Sequence, residues 1–444
     1  MLASPVFFIA LALLTGIILI IFLSTRYKVH PFFSLCLACF VTGGLGGLDA
    51  VSILSLMKEG FGKILSSLGF IIAIGTALGM VLQANGATTA MANAIIKWVG
   101  GKRSAFAMSL TGFFVGLPIF CDSGYVVLNG LNQSMIRRTG IATAIMSTTM
   151  ATGLYAVHCF IPPHPGITAA VGTTQAAMGR VILLGLLAAV PAMLAGYYWA
   201  VWKGRKFPVI TGKEDPGEPL PGANQSLPPV ALSFVPVVVP VILIACKALI
   251  PVPEHPVLRL VLVTGEPAIA LAVGLVLALC IPRKWDKGAL GQLMHHGLEK
   301  AGGILVIIGA GGAFGMVINA LKLQDHLASI QGVKALGIFF PFLVALILKT
   351  AQGSSTVAVL TAASIVLPFL PGLGLDTENG RVLAVLAMGA GSMAVSHVND
   401  AYFWVITNFS GQELKQVLKV YSVATVWMAL TGMLAVYILS LIML

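Results

Sequence analysis

The sequence predicts an all-α polytopic membrane protein, with about 11 transmembrane helices plus two re-entrant hairpins in two inverted-topology repeats. Three observations predict it. Of the 444 residues, 58% are hydrophobic and 9% are charged, against about 25% charged in soluble domains. The apolar residues form continuous runs rather than the alternation of barrel strands, and about 20 such residues span a bilayer as a helix. The Lys and Arg residues sit in short clusters between the runs, as in cytoplasmic loops. This composition excludes a cytosolic globular enzyme, a disordered chain and a nucleic-acid module. The formal net charge of +11 thus reports topology, not contact with nucleic acid.

Residues 5–24 form the first run, with no basic residue before it, and read as a span rather than a cleaved signal. Arg26 and Lys28 follow and belong inside, so the N-terminus is expected in the periplasm. Runs 31–48 and 62–84 go out and return, ahead of Lys97, Lys102 and Arg103. Arg137 and Arg138 also belong inside, so 104–135 must enter and leave on one side. It contains Gly116-Leu117-Pro118 and Asp122-Ser123-Gly124, where a re-entrant hairpin can turn. Run 141–161 goes out, and 178–202 returns to the polar stretch 203–229, which holds six prolines. That stretch reads as a cytoplasmic linker between an N-terminal repeat, 1–202, and a C-terminal repeat, 230–444.

The second half follows with opposite sign. Run 230–251 goes out and 258–281 returns to Arg283, Lys284 and Lys287; 302–321 then goes out. Residues 335–371 form the second hairpin, broken at Gln352-Gly353-Ser354-Ser355-Thr356 and entered from outside. Runs 381–396 and 418–443 complete the chain. The halves also resemble each other: across 71–84 and 307–320, eight of fourteen positions are identical, Gly75, Gly79 and Met80 among them. The two stretches run in opposite directions on the charge-derived topology, as in transporters built from inverted repeats.

Ionisable groups inside a membrane are costly, so each is a functional candidate. Asp122 and Ser123, with Gly124, lie where the first hairpin turns. Asp122 reads either as a helix N-cap or as a group that binds a proton or substrate hydroxyls, and Ser123 as a cap for the outgoing half-helix. Gly353, Ser354, Ser355 and Thr356 form the matching break, where hydroxyls cap a helix start and also suit a carboxylate or polyol. His158-Cys159-Phe160-Ile161-Pro162-Pro163-His164-Pro165-Gly166 cannot stay helical. His158 and His164 there read as structural or as groups that titrate near neutrality. Ser396-His397-Val398-Asn399-Asp400 sets polar groups in apolar sequence, either as a surface turn or as a buried site. The expected substrate contacts are Asp122, Ser123, Gly124, His164, Gly353, Ser354, Ser355, Thr356 and Asn399. The expected proton carriers are Asp122, His158 and Asp400.

Other features read as structural. Cys36-x-x-Cys39 has no second pair and lies in an apolar run. Glu266 before Pro267 reads as a helix start. Glu59, Lys63, Glu299 and Lys300 read as interfacial anchors ahead of spans, and the glycines at 75, 79, 311, 312 and 315 as close packing. There is no nucleotide-binding loop and no metal cage, so no cofactor is expected and an ion gradient would drive transport.

At these motifs the chain resembles the gluconate permease family of bacterial inner-membrane symporters. The resemblance runs over nearly the whole length and rests on Gly69–Ala84, Gly116–Gly124, His158–Gly166, Gln352–Val357 and Ser396–Trp404. The Pro-Pro-His-Pro-Gly and Ser-His-Val-Asn-Asp runs are its specific parts. It implies proton-coupled import of gluconate or a related aldonate, by an elevator-like movement of inverted repeats with re-entrant hairpins. Some members take D-serine or other small hydroxy acids, so D-serine or glycerate is the alternative cargo. Relatives carry a Phe-Phe-acid-Val-Gly run where this chain has Phe120-Cys121-Asp122-Ser123-Gly124.

The resulting expectation is a secondary transporter, not an enzyme, in the inner membrane. Its partners are a small carboxylate, protons and lipid, with a homodimer plausible for the architecture. Two other readings stay open on the residues alone. A channel or exporter would show flux without saturation or ion coupling. An intramembrane enzyme would use His158, His164 and Asp400 as a metal or acid–base set.

Overall fold

A computed structural model describes residues 5–100, 103–209, 227–249, 262–281, 287–321, 336–397 and 400–444. Lys102, most of the central linker, His255, Arg283, Lys284 and Asn399 lie outside the described residues, as does the first part of the expected span 258–281.

The described residues form helices joined by turns and short irregular segments, with no strand among them. Helices α1 (Pro5–Arg26) and α2 (Pro31–Leu45) pair with each other. Helix α3 (Ala50–Ala84) begins well before its apolar run. The signal is Asp49, whose carboxylate accepts the N–H groups of Val51 and Ser52, each at 3.0 Å, and the Ser52 hydroxyl. These bonds hold the Asp49 carboxyl below its ordinary range. Glu59 and Lys63 therefore lie within a helix, not ahead of one. The same correction holds for Glu299, which lies inside α12 (Lys287–Ala320). Helix α3 bends by 46° between Ala50–Ser66 and Gly69–Ala84.

Helix α4 (Ala87–Val99) is an element that hydropathy alone did not separate, since Thr88, Thr89 and Asn93 interrupt its apolar character. Helices α5 (Ser104–Gly116) and α6 (Cys121–Thr139) occupy the stretch of the first expected hairpin, and the chain breaks between them at 117–120. Helix α7 (Thr143–Phe160) is followed by a second break, with a cis Pro162–Pro163 bond, and by α8 (Pro165–Thr174). Helix α9 (Met178–Gly204) leads to the linker.

Beyond it come α10 (Val230–Leu249) and α11 (Pro267–Leu279), where Glu266 takes the cap position and Pro267 the first helical one. After α12, the second expected hairpin is α13 (Phe339–Gln352) and α14 (Ser355–Val366), which pack together across a break at Gly353–Ser354. Helix α15 (Glu378–Gly391) breaks before α16 (Ala401–Ser410). A π-helical turn, Leu418–Ser422, then feeds the last helix, α17 (Val423–Met443).

Packing partners come in matching pairs. Helix α2 lies on α12, and α11 lies on α3. Helix α5 lies on α7 and α13 on α15; α7 lies on α9 and α15 on α17. Helix α8 meets α14, and α16 meets α6.

The most extensive contact joins α3 to α12. A Cβ placed on Gly60 would sit 2.4 Å from the Gly312 carbonyl oxygen, and one on Gly312 would sit 2.7 Å from that of Gly60. Further along, Gly297 faces Ala77 and Met80. The start of each helix thus meets the end of the other, so they pack antiparallel with backbones touching, as small residues allow.

The outward faces of α1, α9 and α17 carry Leu14, Ile18, Leu187, Leu434 and Leu441, all exposed. Water does not favour that arrangement, and a bilayer does. Among the described residues, five helical stretches are long and apolar enough to cross a membrane, or six with the bent α3. The cysteines are free, Cys36 and Cys39 included.

Candidate functional site

Four helices start at breaks inside apolar sequence, and each start has its own chemistry. Helix α5 must end near Gly116 because Pro118 has no N–H to continue it. Helix α3 crosses this first tip so closely that a Cβ on Gly79 would lie 2.5 Å from the Pro118 carbonyl oxygen. The cap position of α6 is Phe120, which supplies no side-chain cap. Neither Asp122 nor Ser123 is therefore the cap: both lie in the first turn. Asp122 is exposed and accepts from the Cys121 thiol at 3.5 Å. Gly124 is committed to packing, with its N–H on the Phe120 carbonyl at 2.8 Å and its Cα against Leu154.

The second tip turns at Gly353, whose φ of +82° favours glycine. Ser354 is the N-cap of α14 and accepts the Val357 N–H at 3.3 Å. At the third break, His164 occupies the cap position of α8 and Pro165 its first helical position. At the fourth, Asp400 is the N-cap of α16, and its Oδ1 accepts the Tyr402 N–H at 3.0 Å. Asp400 is thus a buried cap and not a surface turn.

A pair of buried histidines connects the two tips. His164 donates its Nε2–H to the Gly116 carbonyl at 2.9 Å, since a carbonyl can only accept. Its ring centroid lies 4.9 Å from that of His158. His158 Nε2 faces the Thr356 hydroxyl at 3.5 Å, in the first turn of α14. The starts of α8 and α14 touch here: a Cβ on Gly166 would lie 2.9 Å from the Thr356 Cα.

The expected hydroxyls are not gathered at one point. Ser355 and Thr356 line a narrow cleft with His158, Cys159, Gly166 and Ser392. Ser123 lines a separate pocket under α3, beside Thr76 and Gln83. Ser354 faces a third, toward Lys28, His30 and Gln352.

One residue of this region escaped the sequence reading. Lys349, in the last turn of α13, is wholly buried. Its ammonium donates to the Asp400 carboxylate at 2.6 Å and to the Gly353 carbonyl. The signal was a lone lysine in the apolar run Phe339–Ala351, just before the break. The Tyr155 ring centroid lies 5.9 Å from its ammonium, and Tyr402 and Tyr421 lie against Tyr155. Tyr155 donates to the Ser392 carbonyl at 3.2 Å and Tyr402 to the Ala151 carbonyl at 3.1 Å. Among the described residues no group of three or more His, Cys, Asp or Glu is placed to hold a metal ion. The His158, His164 and Asp400 set of an intramembrane enzyme is not assembled, because Asp400 is paired with Lys349.

The arrangement offers open helix starts, hydroxyls, two histidines and one cation in a buried region between packed helices. Such a place suits a small anion rather than bond-breaking chemistry. Comparison with known proteins agrees. A family model described as GntP family permease matches residues 8–442. A gluconate permease of Pseudomonas aeruginosa is 33% identical, over 98% of this chain and 98% of its own length. The D-serine transporter DsdX of Escherichia coli is 29% identical, over 97% of this chain and 98% of its own. The crystal structure of the YdaH transporter of Alcanivorax borkumensis shares the fold, with a TM-score of 0.65 at 16% identity, covering 93% of this chain and 99% of that one.

Proposed function

This chain belongs to the GntP family of permeases, and from that premise we propose that it imports a small hydroxy acid with protons, gluconate or a related sugar acid before others. The chain is a membrane transporter and not an enzyme, as its named relatives are permeases and transporters. The carboxylate is the feature common to gluconate and D-serine, the substrates in those relatives' names.

The observation that carries the reading is the contact between the starts of α8 and α14 at Gly166 and Thr356, with His158 and His164 spanning from one tip to the other. The ligand carboxylate would sit at these starts, on backbone N–H groups and the hydroxyls of Ser355 and Thr356, with His158 beside it. Ser123 and Ser354 lie in the adjoining pockets and, with Asp122 beside Ser123, would meet the polyol as the tips move. Proton carriage falls to Asp400, His158 or Asp122.

The mechanism we propose is alternating access by two inverted repeats, 1–202 and 230–444, each with a re-entrant hairpin, 104–135 and 335–371. The paired packing and the antiparallel α3–α12 contact support it. So does the division of contacts. Helices α2 and α11 pack on α12 and α3, with α1 on α2 and α10 on α11, whereas α5, α7, α9, α13, α15 and α17 pack on one another. The first set would be the scaffold and the second the moving body. On this reading the shorter apolar helices also cross, the linker 203–229 is cytoplasmic and the N-terminus periplasmic.

Uptake into proteoliposomes tests the function. An inward pH gradient should accelerate entry of at least one acid among gluconate, other aldonates, glycerate and D-serine. If none of these is accelerated, proton coupling is wrong; if none enters saturably, the substrate class is wrong.

A further inference from the structure

Three described ion pairs, Arg180–Glu378, Lys247–Glu266 and His295–Glu299, are open to solvent. The fourth is not. Lys349 and Asp400 have side-chain exposures of 0% and 7%. A buried ion pair is weak evidence for stability, because removing two charges from water cancels much of their attraction. Its place here points to a task instead.

The two charges belong to different helices. Lys349 ends α13, the first arm of the second hairpin, and its ammonium also holds the Gly353 carbonyl at the tip. Asp400 starts α16, and its carboxylate further accepts the Ser396 hydroxyl and the Tyr402 N–H. The groups facing the pair from neighbouring elements are Tyr155, Cys159, Cys121, Tyr402 and Tyr421, with His397 bonded to the Thr350 carbonyl nearby. Asp122 accepts from the Cys121 thiol. Among the described residues, Lys349 has one ion-pair partner, Asp400. Two residues beyond Gly353, Ser355 lines the narrow cleft shared with His158, Thr356 and Ser392.

We infer that Lys349 is the anchor for the substrate carboxylate, and that Asp400 is its resident counter-ion, which gives up that place by taking a proton. The inference rests on the proton-coupled reading above and specifies its site and stoichiometry. In the empty carrier, Lys349 ammonium pairs with Asp400 carboxylate. In the loaded carrier, one proton from the outer water sits on Asp400, and the incoming carboxylate pairs with Lys349. Both states bury the same net charge, so both can cross. A proton without the acid leaves an unmatched ammonium, and the acid without a proton leaves an unmatched carboxylate. Burying either is heavily penalised, so neither half-loaded form moves. One proton enters with each carboxylate, without net charge transfer by a monoanion.

The experiment uses the full chain in detergent and in proteoliposomes, with gluconate as the probe and gluconamide as its neutral counterpart. Wild-type affinity for gluconate should rise about tenfold for each unit the pH falls, over the range where the empty carrier is deprotonated. Asp400→Asn keeps the helix cap and mimics the protonated acid. It should bind gluconate with no pH slope and exchange it across the membrane, yet fail to accumulate it from a pH gradient. Lys349→Gln combined with Asp400→Asn leaves no buried charge and should lose gluconate affinity by about a hundredfold or more at every pH. Should D400N alone not fold, the double variant decides. The inference is overturned if D400N keeps the wild-type pH slope, or if the double variant keeps wild-type affinity, or if gluconamide binds as tightly as gluconate. Wild-type protein that moves gluconate on a pH gradient while any of these holds leaves the transport reading intact. Wild-type protein that moves no acid overturns both.

Discussion

His158 and His164 lie 4.9 Å apart and are bound in opposite directions, His164 to the Gly116 carbonyl of one tip and His158 to Thr356 of the other. Replacing His164 by Ala leaves a buried carbonyl without its donor, at a cost of about 1–3 kcal/mol. Thermal unfolding of H164A should show that loss, and uptake should fall. His164→Gln, which can donate from its amide, should recover part of both. Unchanged stability and uptake in H164A would remove the histidine pair from the account.

Contact between α8 and α14 depends on Gly166 having no side chain. Gly166→Ala places a Cβ against the Thr356 Cα, so the tip must shift. Uptake should fall severalfold while the protein still purifies as a single species. Gly372 has open space around its Cα, and Gly372→Ala is the control expected to behave as wild type. Equal uptake in the two variants would show that the helix starts need not touch.

At the α3–α12 crossing, Gly60→Ala and Gly312→Ala should each destabilise by about 1–3 kcal/mol, the usual range for overpacking. Gly302→Ala, on the same helix as Gly312 but facing open space, should not. Chemical denaturation in detergent measures the difference.

Sidedness follows from the basic clusters. In a cysteine-free background, Glu214→Cys should resist a membrane-impermeant maleimide in intact cells and react in inverted vesicles. Ser4→Cys should do the reverse. The opposite pattern at either position would reverse the topology proposed here.

The breaks were legible because their residues forbid helix. Pro118, Pro162, Pro163, Gly353 and the polar run before Asp400 each mark a place where the backbone stops. The cap at Ser354 and the Glu266–Pro267 start follow from the same local chemistry, whereas Asp400 reads in the sequence as a surface turn or a buried site and not as a cap. Partners across the fold were not legible. Lys349 and Asp400 are far apart in sequence, and the lysine sits in a run whose average is strongly apolar. The three pockets that separate Ser123, Ser354 and the Ser355–Thr356 pair arise from how α3, α2 and α8 pass the tips, which no local pattern encodes. Helix α8 went unseen because its glycines and threonines drop it between the runs 141–161 and 178–202, and the early start of α3 because Lys58, Glu59 and Gly60 interrupt its apolar character.

The bare-backbone crossing of α3 and α12 has a consequence for biosynthesis. Gly60 leaves the ribosome roughly 250 residues before Gly312, many seconds at ordinary elongation rates. Through that interval the earlier helix has a groove with nothing to fill it but lipid or a chaperone. Maturation therefore waits on the far half of the polypeptide, and chains cut short before α12 are predicted to be cleared by quality-control proteases rather than to persist as half-carriers.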